Sequence, residues 1–343
     1  MTDTRKVKVA CVGAGYFSQF HYESWSRMAD VDLLASCDLE LEKAKATGVS
    51  AYTDLSEMLT ACEPDILDVI LPPTGHVETI KTALSHGIKW LICQKPFCPS
   101  LEQAEELIAM ADAENATIII HENFRFQPWF RAIKSVLDRG GIGTPLQATF
   151  RLRPGDGQGP NAYLDRQPYF QKMPKLLVHE TGVHYIDTFR FMFGAPSSVY
   201  ADLRKINPVI AGEDAGHVLL NYENGMSTLI DGNRCLDHAA DNLRRTMGEA
   251  LIEGTEGTLT LAGDGSVSLR AFGQQEIQVV RPADTWDGFG GDCVHALQSH
   301  VISGFLSGTP IENVAQEYLE VLRTEKAVYA SNEAGKKIML DKK

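Results

Sequence analysis

The chain has 343 residues, 44% apolar and 22% charged, which excludes a disordered or fibrous polypeptide and allows two domains at roughly 150 residues each. Its formal charge of −13 offers no general attraction to phosphate backbones or anionic lipid, so neither nucleic-acid nor membrane partners are expected. No run approaches the roughly 18 apolar residues of a membrane span, and the opening MTDTRKVKVACVGAG lacks the apolar core of a secretory signal, so a cytoplasmic location is expected.

From Lys6 to His121 short apolar runs alternate with amphipathic stretches: VKVACV, VDLLAS, ILDVIL, IKWLIC and TIIIH. Runs this short, rich in Val and Ile and almost free of polar interruption, are what strands buried on both faces of a parallel sheet require. Between the last two, SLEQAEELIAMADAEN carries the helical period, with Ser100 as predicted N-cap and Gln103 three residues on. The pattern is β-α-β alternation.

After about Phe124 the texture changes. A helix (PWFRAIKSVLDRG) and a strand (TPLQATFRLR) precede a Gly/Pro-rich segment from Pro154 to Pro174, too long for a bland connection and so a substrate loop or a subunit contact. From Ser197 to Arg281 alternating stretches such as HVLLNYENGMSTLIDGN, with a turn at Glu223–Met226, predict antiparallel hairpins. Helices near 289–306 and 314–332 close the pattern, and no internal repeat is visible. The seven cysteines are odd in number, scattered and without a C-x-x-C pair, which predicts small buried thiols rather than a zinc or redox motif.

Gly13-Ala14-Gly15 follows the first strand and opens a helical pattern. The first glycine permits a tight turn, and the second lets backbone N–H groups approach a pyrophosphate at a helix N-terminus, where the macrodipole favours negative charge. Ser18 stands where a third glycine is usual. Asp38, at the end of the second run, can accept both hydrogen bonds of a ribose diol and would repel a 2′-phosphate, which favours NAD over NADP. Its competing role is to cap the helix that follows.

LPPTGHVETI after the third main strand, ICQKPFCPS after the next, HENFRFQPW after the fifth and ETGVHYID later on resemble, in order, motifs of the Gfo/Idh/MocA oxidoreductases, the glucose-fructose oxidoreductase and inositol dehydrogenase group. The resemblance runs over nearly the whole chain. It implies an α/β protein: an N-terminal Rossmann domain with a doubly wound parallel sheet (1–124), and a C-terminal α+β domain with a large, mostly antiparallel open sheet (125–343). It implies NAD as cofactor, bound by Gly13, Gly15, Tyr16, Phe17, Asp38, Pro73, His76, Gln94 and Lys95. A homodimer or homotetramer is implied as well. Gln94 stands where the group usually has Glu before Lys-Pro, and Glu180 where it usually has Asp four residues before His. FRLRPGDGQGPNAYLDRQPYF is most similar to sugar-oxidising members.

LLVHETGVHYID, residues 176–187, gathers two histidines, a glutamate and an aspartate. Read as one α-helix, His179 and His184 are about 500° apart at about 100° per residue, so their rings diverge and a metal is not expected. Glu180 and His184, about 400° apart, share a face. A carboxylate beside an imidazole fixes its orientation and stabilises its protonated form, as a base for a hydroxyl proton needs. Asp187 is expected to anchor the helix, and His179 to be a satisfied core residue.

The expected reaction is oxidation of a sugar or polyol carbinol by hydride transfer to NAD, aldose to aldonolactone, with Lys95, His184 and Glu180 catalytic. The sequence leaves open whether Lys95 or His184 accepts the proton. Asn123, Arg125, Arg153, Asp156, Gln158 and Tyr163 offer the planar and bidentate groups that recognise polyols. An NAD-dependent glycosidase with transient redox and a non-catalytic sugar sensor are the competing readings.

Overall fold

The first apolar run forms β1 (Val7–Val12) in a computed structural model of the chain, which describes residues 5–340. There follow α1 (Ser18–Ser26), β2 (Val31–Cys37), α2 (Leu41–Ala46), β3 (Ser50–Tyr52), α3 (Leu55–Cys62), β4 (Ile66–Val69), α4 (Pro73–Ser85), β5 (Trp90–Cys93), α5 (Leu101–Ala113) and β6 (Thr117–Ile120). The six strands make one parallel sheet in the order β3-β2-β1-β4-β5-β6. The order reverses between β1 and β4, and it is outside the carboxyl ends of strands at such a point that open α/β sheets bind ligands.

Burial accounts for the strands. Val9, Ala10, Cys11, Ile66, Leu67 and Val69 have no exposed surface, and each Val or Ile so withdrawn from water stabilises by about 1.5–3 kcal/mol. Ser100 accepts from the Gln103 backbone N–H at 3.2 Å, the cap its position predicts. Asp54 caps α3 in the same way through Glu57, at 2.8 Å.

A 3₁₀ turn (Phe124–Phe126) opens the second half and leads to α6 (Pro128–Asp138) and β7 (Pro145–Leu152). After the Gly/Pro-rich segment come α7 (Val183–Phe193), β8 (Ser198–Arg204), β9 (Ala215–Asn221), β10 (Ser227–Asn233), β11 (Gly248–Gly254), β12 (Gly257–Leu261), β13 (Val267–Ala271) and β14 (Gln278–Arg281). The chain closes with α8 (Cys293–Ser307), α9 (Ala315–Ala334) and β15 (Ile338–Met339). Nine strands form a sheet in the order β14-β13-β12-β11-β7-β10-β9-β8-β15, and its neighbours run antiparallel except for β7 with β10. The β9–β10 hairpin turns where the sequence places it, with Gly225 at φ +86° and Tyr222 N–H bonded to the Met226 carbonyl at 3.0 Å. On one face of this sheet Phe150 of β7 stacks on Tyr185 of α7 at 3.9 Å between centroids.

Two compact units result: residues through Glu122 with Val294–Leu319, and Asn123–Cys293 with the residues from Glu320 on. The sequence puts one boundary after 124 and assigns everything later to the second domain. Instead Val294–Leu319 returns to the first unit, where the Ile120 N–H bonds the Asn313 carbonyl at 2.8 Å and Val314 bridges to Ile119. This segment extends the β6 edge, a long-range pairing that no local pattern announces. Among the described residues, no helix is long and apolar enough to cross a membrane.

Candidate functional site

In the first unit the glycine turn is built as a cradle. Gly13 has φ +105°, and a Cβ there would stand 2.4 Å from the Ile70 carbonyl oxygen, so only glycine fits. A Cβ on Gly15 would meet nothing within 4 Å, so that side of the turn is open. Ser18 replaces the third glycine without loss of closure, since its Oγ donates to the Gly15 carbonyl at 2.7 Å. The N-terminus of α1 has no side-chain cap and no acidic residue in its first turn, so no side-chain charge offsets its positive dipole end, while the Ser18 and Phe20 N–H groups bond the Gly15 and Phe17 carbonyls at 3.2 Å. Asp38 accepts from Ala14 N–H at 2.8 Å and from Glu40 N–H at 2.9 Å. It is thus brace and cap at once, with lone pairs to spare for a ribose diol. An open glycine turn, a helix N-terminus without a side-chain cap and a braced carboxylate fit a dinucleotide.

Tyr16 is 39% exposed at the lip of this turn, and Phe17 is the N-cap residue of α1. Pro73 is the first residue of α4. His76 is fully buried, its ring nitrogens 2.9 Å from the Phe97 carbonyl oxygen and 2.8 Å from that of Leu71, and burial holds its pKa below the ordinary histidine value. It ties the loop after β4 to the loop after β5, so the structure gives it a bracing place rather than a ligand-facing one. Gln94 follows β5, and its N–H bonds the Val69 carbonyl at 3.0 Å; Lys95 comes next, joined to Pro96 by a cis peptide bond. His121 is buried just past β6.

The second unit departs from expectation at the segment that holds both histidines. Leu177–Gly182 is a π-helix and α7 begins only at Val183. The i,i+4 phase assumed for Glu180 and His184 therefore does not apply, because Glu180 lies in the wider turn. Distant groups shape it: Leu177 N–H bonds the Glu213 carbonyl at 2.9 Å, Val178 N–H the Glu213 carboxylate at 3.1 Å, and Arg234 Nη1 donates to Thr181 Oγ1 at 2.6 Å. His179 pairs with Glu325 at 2.6 Å. π-Turns inside helices often mark functional sites. His184, 6% exposed, lies flat on Phe124 with centroids 3.8 Å apart and planes 5° apart.

Most of the expected substrate binders are engaged by other groups of the protein instead. Arg125 forks onto Asp187 at 2.8 and 2.5 Å, so Asp187 anchors α7 as expected while Arg125 is its partner. Arg153 binds the Asp231 carboxylate at 2.5 Å and two backbone carbonyls. Asp156 pairs with Arg166 and Arg234, each at 2.8 Å. Gln158 donates to the Cys235 carbonyl at 2.5 Å, and Tyr163 OH accepts from Arg234 Nε at 2.8 Å. Their donors and acceptors are used within the second unit, mostly in charged pairs between side chains. Asn123, buried at 2%, starts this unit. Arg234, which no local signal marks, joins the long segment to the π-turn. Among the described residues, no three His, Cys, Asp or Glu side chains gather as a metal site, and the seven cysteines are free thiols.

The parallel sheet with its dinucleotide cradle and the second unit with its large sheet define an NAD-dependent oxidoreductase. Residues 7–122 match the oxidoreductase family with an NAD-binding Rossmann fold, Gfo/Idh/MocA, and residues 130–260 match the Gfo/Idh/MocA C-terminal domain. The chain belongs to the Gfo/Idh/MocA family. It is 28% identical to a D-apiose dehydrogenase of Paraburkholderia graminis, over 99% of this chain and 91% of that protein. A D-apiose dehydrogenase of Rhizobium rhizogenes is 25% identical, over 97% of each chain. The crystal structure of an oxidoreductase from Agrobacterium radiobacter in complex with NAD+, L-tartaric acid and magnesium superposes with a TM-score of 0.88 at 25% identity, covering 97% of this chain and 98% of that one.

Proposed function

We propose that this protein oxidises a sugar carbinol, aldose to aldonolactone, with D-apiose as the leading candidate. NAD, when bound, supplies the hydride acceptor. His184 takes the hydroxyl proton, a role worth about 10²- to 10⁴-fold in rate. Lys95 hydrogen-bonds the same oxygen and stabilises its developing negative charge, while Glu180 orients the imidazole or holds a neighbouring hydroxyl. Asn123 is the remaining polyol binder among the residues named from the sequence.

The observation that carries this reading is the His184 ring, buried and held flat on Phe124 directly after a π-turn that bears Glu180. The nearly full-length likeness to two D-apiose dehydrogenases supports the substrate class. The test is a panel of aldoses, polyols and sugar acids with NAD, read at the NADH absorbance band. Stoichiometric NADH with an aldose supports the proposal, and cleavage of a glycoside without net NADH replaces it with the glycosidase reading. We also propose a cytoplasmic homodimer or homotetramer, supported by cysteines that form no disulfide among the described residues and by a cross-strand row of the nine-stranded sheet, Tyr200, Leu219, Leu229, Thr149 and Leu251, whose ends are 40% and 39% exposed.

A further inference from the structure

ILDVIL places a carboxylate inside a run otherwise fit only for a buried strand, and the structure shows what it holds. Asp68 is fully buried, and its Oδ2 accepts from His21 Nδ1 at 2.7 Å, Trp25 Nε1 at 2.8 Å and Gln298 Nε2 at 3.2 Å. His21 is also fully buried, and its Nε2 meets the Gln94 side-chain amide nitrogen at 2.7 Å. His121 lies tilted against the His21 ring, centroids 4.1 Å and planes 35° apart, and Phe17 meets it edge-on at 5.8 Å. Burial pushes the thiols of Cys11 and Cys93 up, so Asp68 sits among groups withdrawn from water.

The order of donors fixes the state of the ring. At Nδ1 the Asp68 carboxylate oxygen at 2.7 Å is nearer than the Gln298 amide nitrogen at 3.2 Å, which favours a proton on Nδ1; Gln94 brings an N–H to Nε2 at 2.7 Å, so Nε2 offers a lone pair. A free amide could present either end to a ligand. With its nitrogen bound to His21, Gln94 has its carbonyl oxygen left over.

We propose that Asp68 and His21 are positioning residues for Gln94: the carboxylate sets the imidazole tautomer, the imidazole holds the amide nitrogen, and the Gln94 carbonyl oxygen is thereby turned to accept a hydrogen bond from a hydroxyl of bound NAD. This rests on the reading that Gln94 lines the cofactor. It explains how the chain works with an amide before Lys95 where a carboxylate is usual. A carboxylate at 94 presents acceptors to both sides and needs no orienting, whereas an amide does. Burying polar groups is costly, and a buried polar chain of this kind is kept where it fixes one arrangement of a neighbouring group.

The test uses the full-length protein with nitrogen-15-labelled histidine, His21 being assigned through His21→Leu. Long-range proton–nitrogen spectra should show His21 protonated at Nδ1 and bare at Nε2, and Gln94→Glu should add a proton at Nε2, since carboxylates then flank both ring nitrogens. NADH titration should show His21→Leu and Gln94→Leu each weaker by about tenfold, as loss of an orienting partner typically causes. The double variant should be no weaker than the weaker single one, because both act through one hydrogen bond. His21 protonated at Nε2 in the unmutated protein overturns the proposal; so do unchanged NADH affinity and losses that add. If His21→Leu fails to fold, assignment through Gln94→Glu and the spectra still decide. Neither readout uses a sugar, so failure of the substrate panel leaves this inference standing.

Discussion

The imidazole of His184 lies parallel to the ring of Phe124, planes within 5° and centroids 3.8 Å apart. Stacking of this kind contributes about 0.5–1.5 kcal/mol and removes the ring's freedom to tilt, so the nitrogens keep one direction. His184→Ala and Lys95→Ala should each lower turnover by about 10²- to 10⁴-fold, and His184→Ala should do so with NADH binding little changed, as expected of a group that acts on the proton rather than holds the cofactor. Steady-state kinetics and NADH fluorescence titration check this. Near-normal turnover in both variants removes the catalytic assignment.

Asp38 is braced from two sides, by Ala14 N–H at 2.8 Å and Glu40 N–H at 2.9 Å, so its carboxylate has a fixed direction. Asp38→Ala should weaken NAD and narrow the preference for NAD over NADP, because the acceptor for a ribose diol and the charge that repels a 2′-phosphate disappear together. The readout is kcat/KM with each cofactor. An unchanged ratio would leave Asp38 only its bracing role.

What the sequence showed and what it hid divides along physical lines. β1, β4 and β6, the Ser100 cap and the β9–β10 turn depend on neighbours within a few residues, and each was legible. The π-turn was not, because Glu213 and Arg234 shape it from distant parts of the chain. Arg125, Arg153, Asp156 and Tyr163 show the right chemistry for sugar binding, but Arg125 and Arg153 donate to Asp187 and Asp231, Asp156 and Tyr163 accept from Arg234, and spacing alone cannot tell a ligand from a partner. Asp68 did leave a mark, since a carboxylate in an apolar run must find donors.

The Arg125–Asp187 pair is a fork between side chains 9% and 1% exposed. Removing one partner strands the other charge, so Arg125→Ala should destabilise by about 3–5 kcal/mol, and Arg125→Met with Asp187→Leu should recover much of that loss. Urea unfolding measures it. Equal losses in the single and double variants would mean that the pair does not act as a unit.

Alkaline pH should weaken the fold before acid chemistry of the site is touched. Burial raises Cys37 to about 11, Cys98 to about 12 and Tyr222 to about 12, from ordinary values of 9.0, 9.0 and 10.0. Between the ordinary and raised values the unfolded chain has lost protons that the folded chain keeps, so stability is whole below the former and falls as pH rises toward the latter. The urea midpoint should therefore hold steady up to about pH 9 and drop from there to about pH 11. A level midpoint across that interval would show these groups to be solvated in the native state.

On the open face of the nine-stranded sheet the register aligns Tyr200, Leu219, Leu229, Thr149 and Leu251 across five strands. Tyr200 and Leu251 at its ends are 40% and 39% exposed. Beside it runs a second row, Asp202, His217, Asp231, Arg151 and Glu249, in which Arg151 meets Glu249 at 3.1 Å and His217 meets Asp231 at 3.4 Å. An apolar centre with flanking charges of both signs can face a rotated copy of itself, because a two-fold axis sets each patch against its own image. Leu229→Asp puts an unpaired charge in the middle of that centre, so it should lower the assembly state while NADH binding and the far-ultraviolet spectrum stay as they were. Light scattering at micromolar protein reads the outcome: a monomer before substitution, or an unchanged oligomer after it, would take this face out of the assembly.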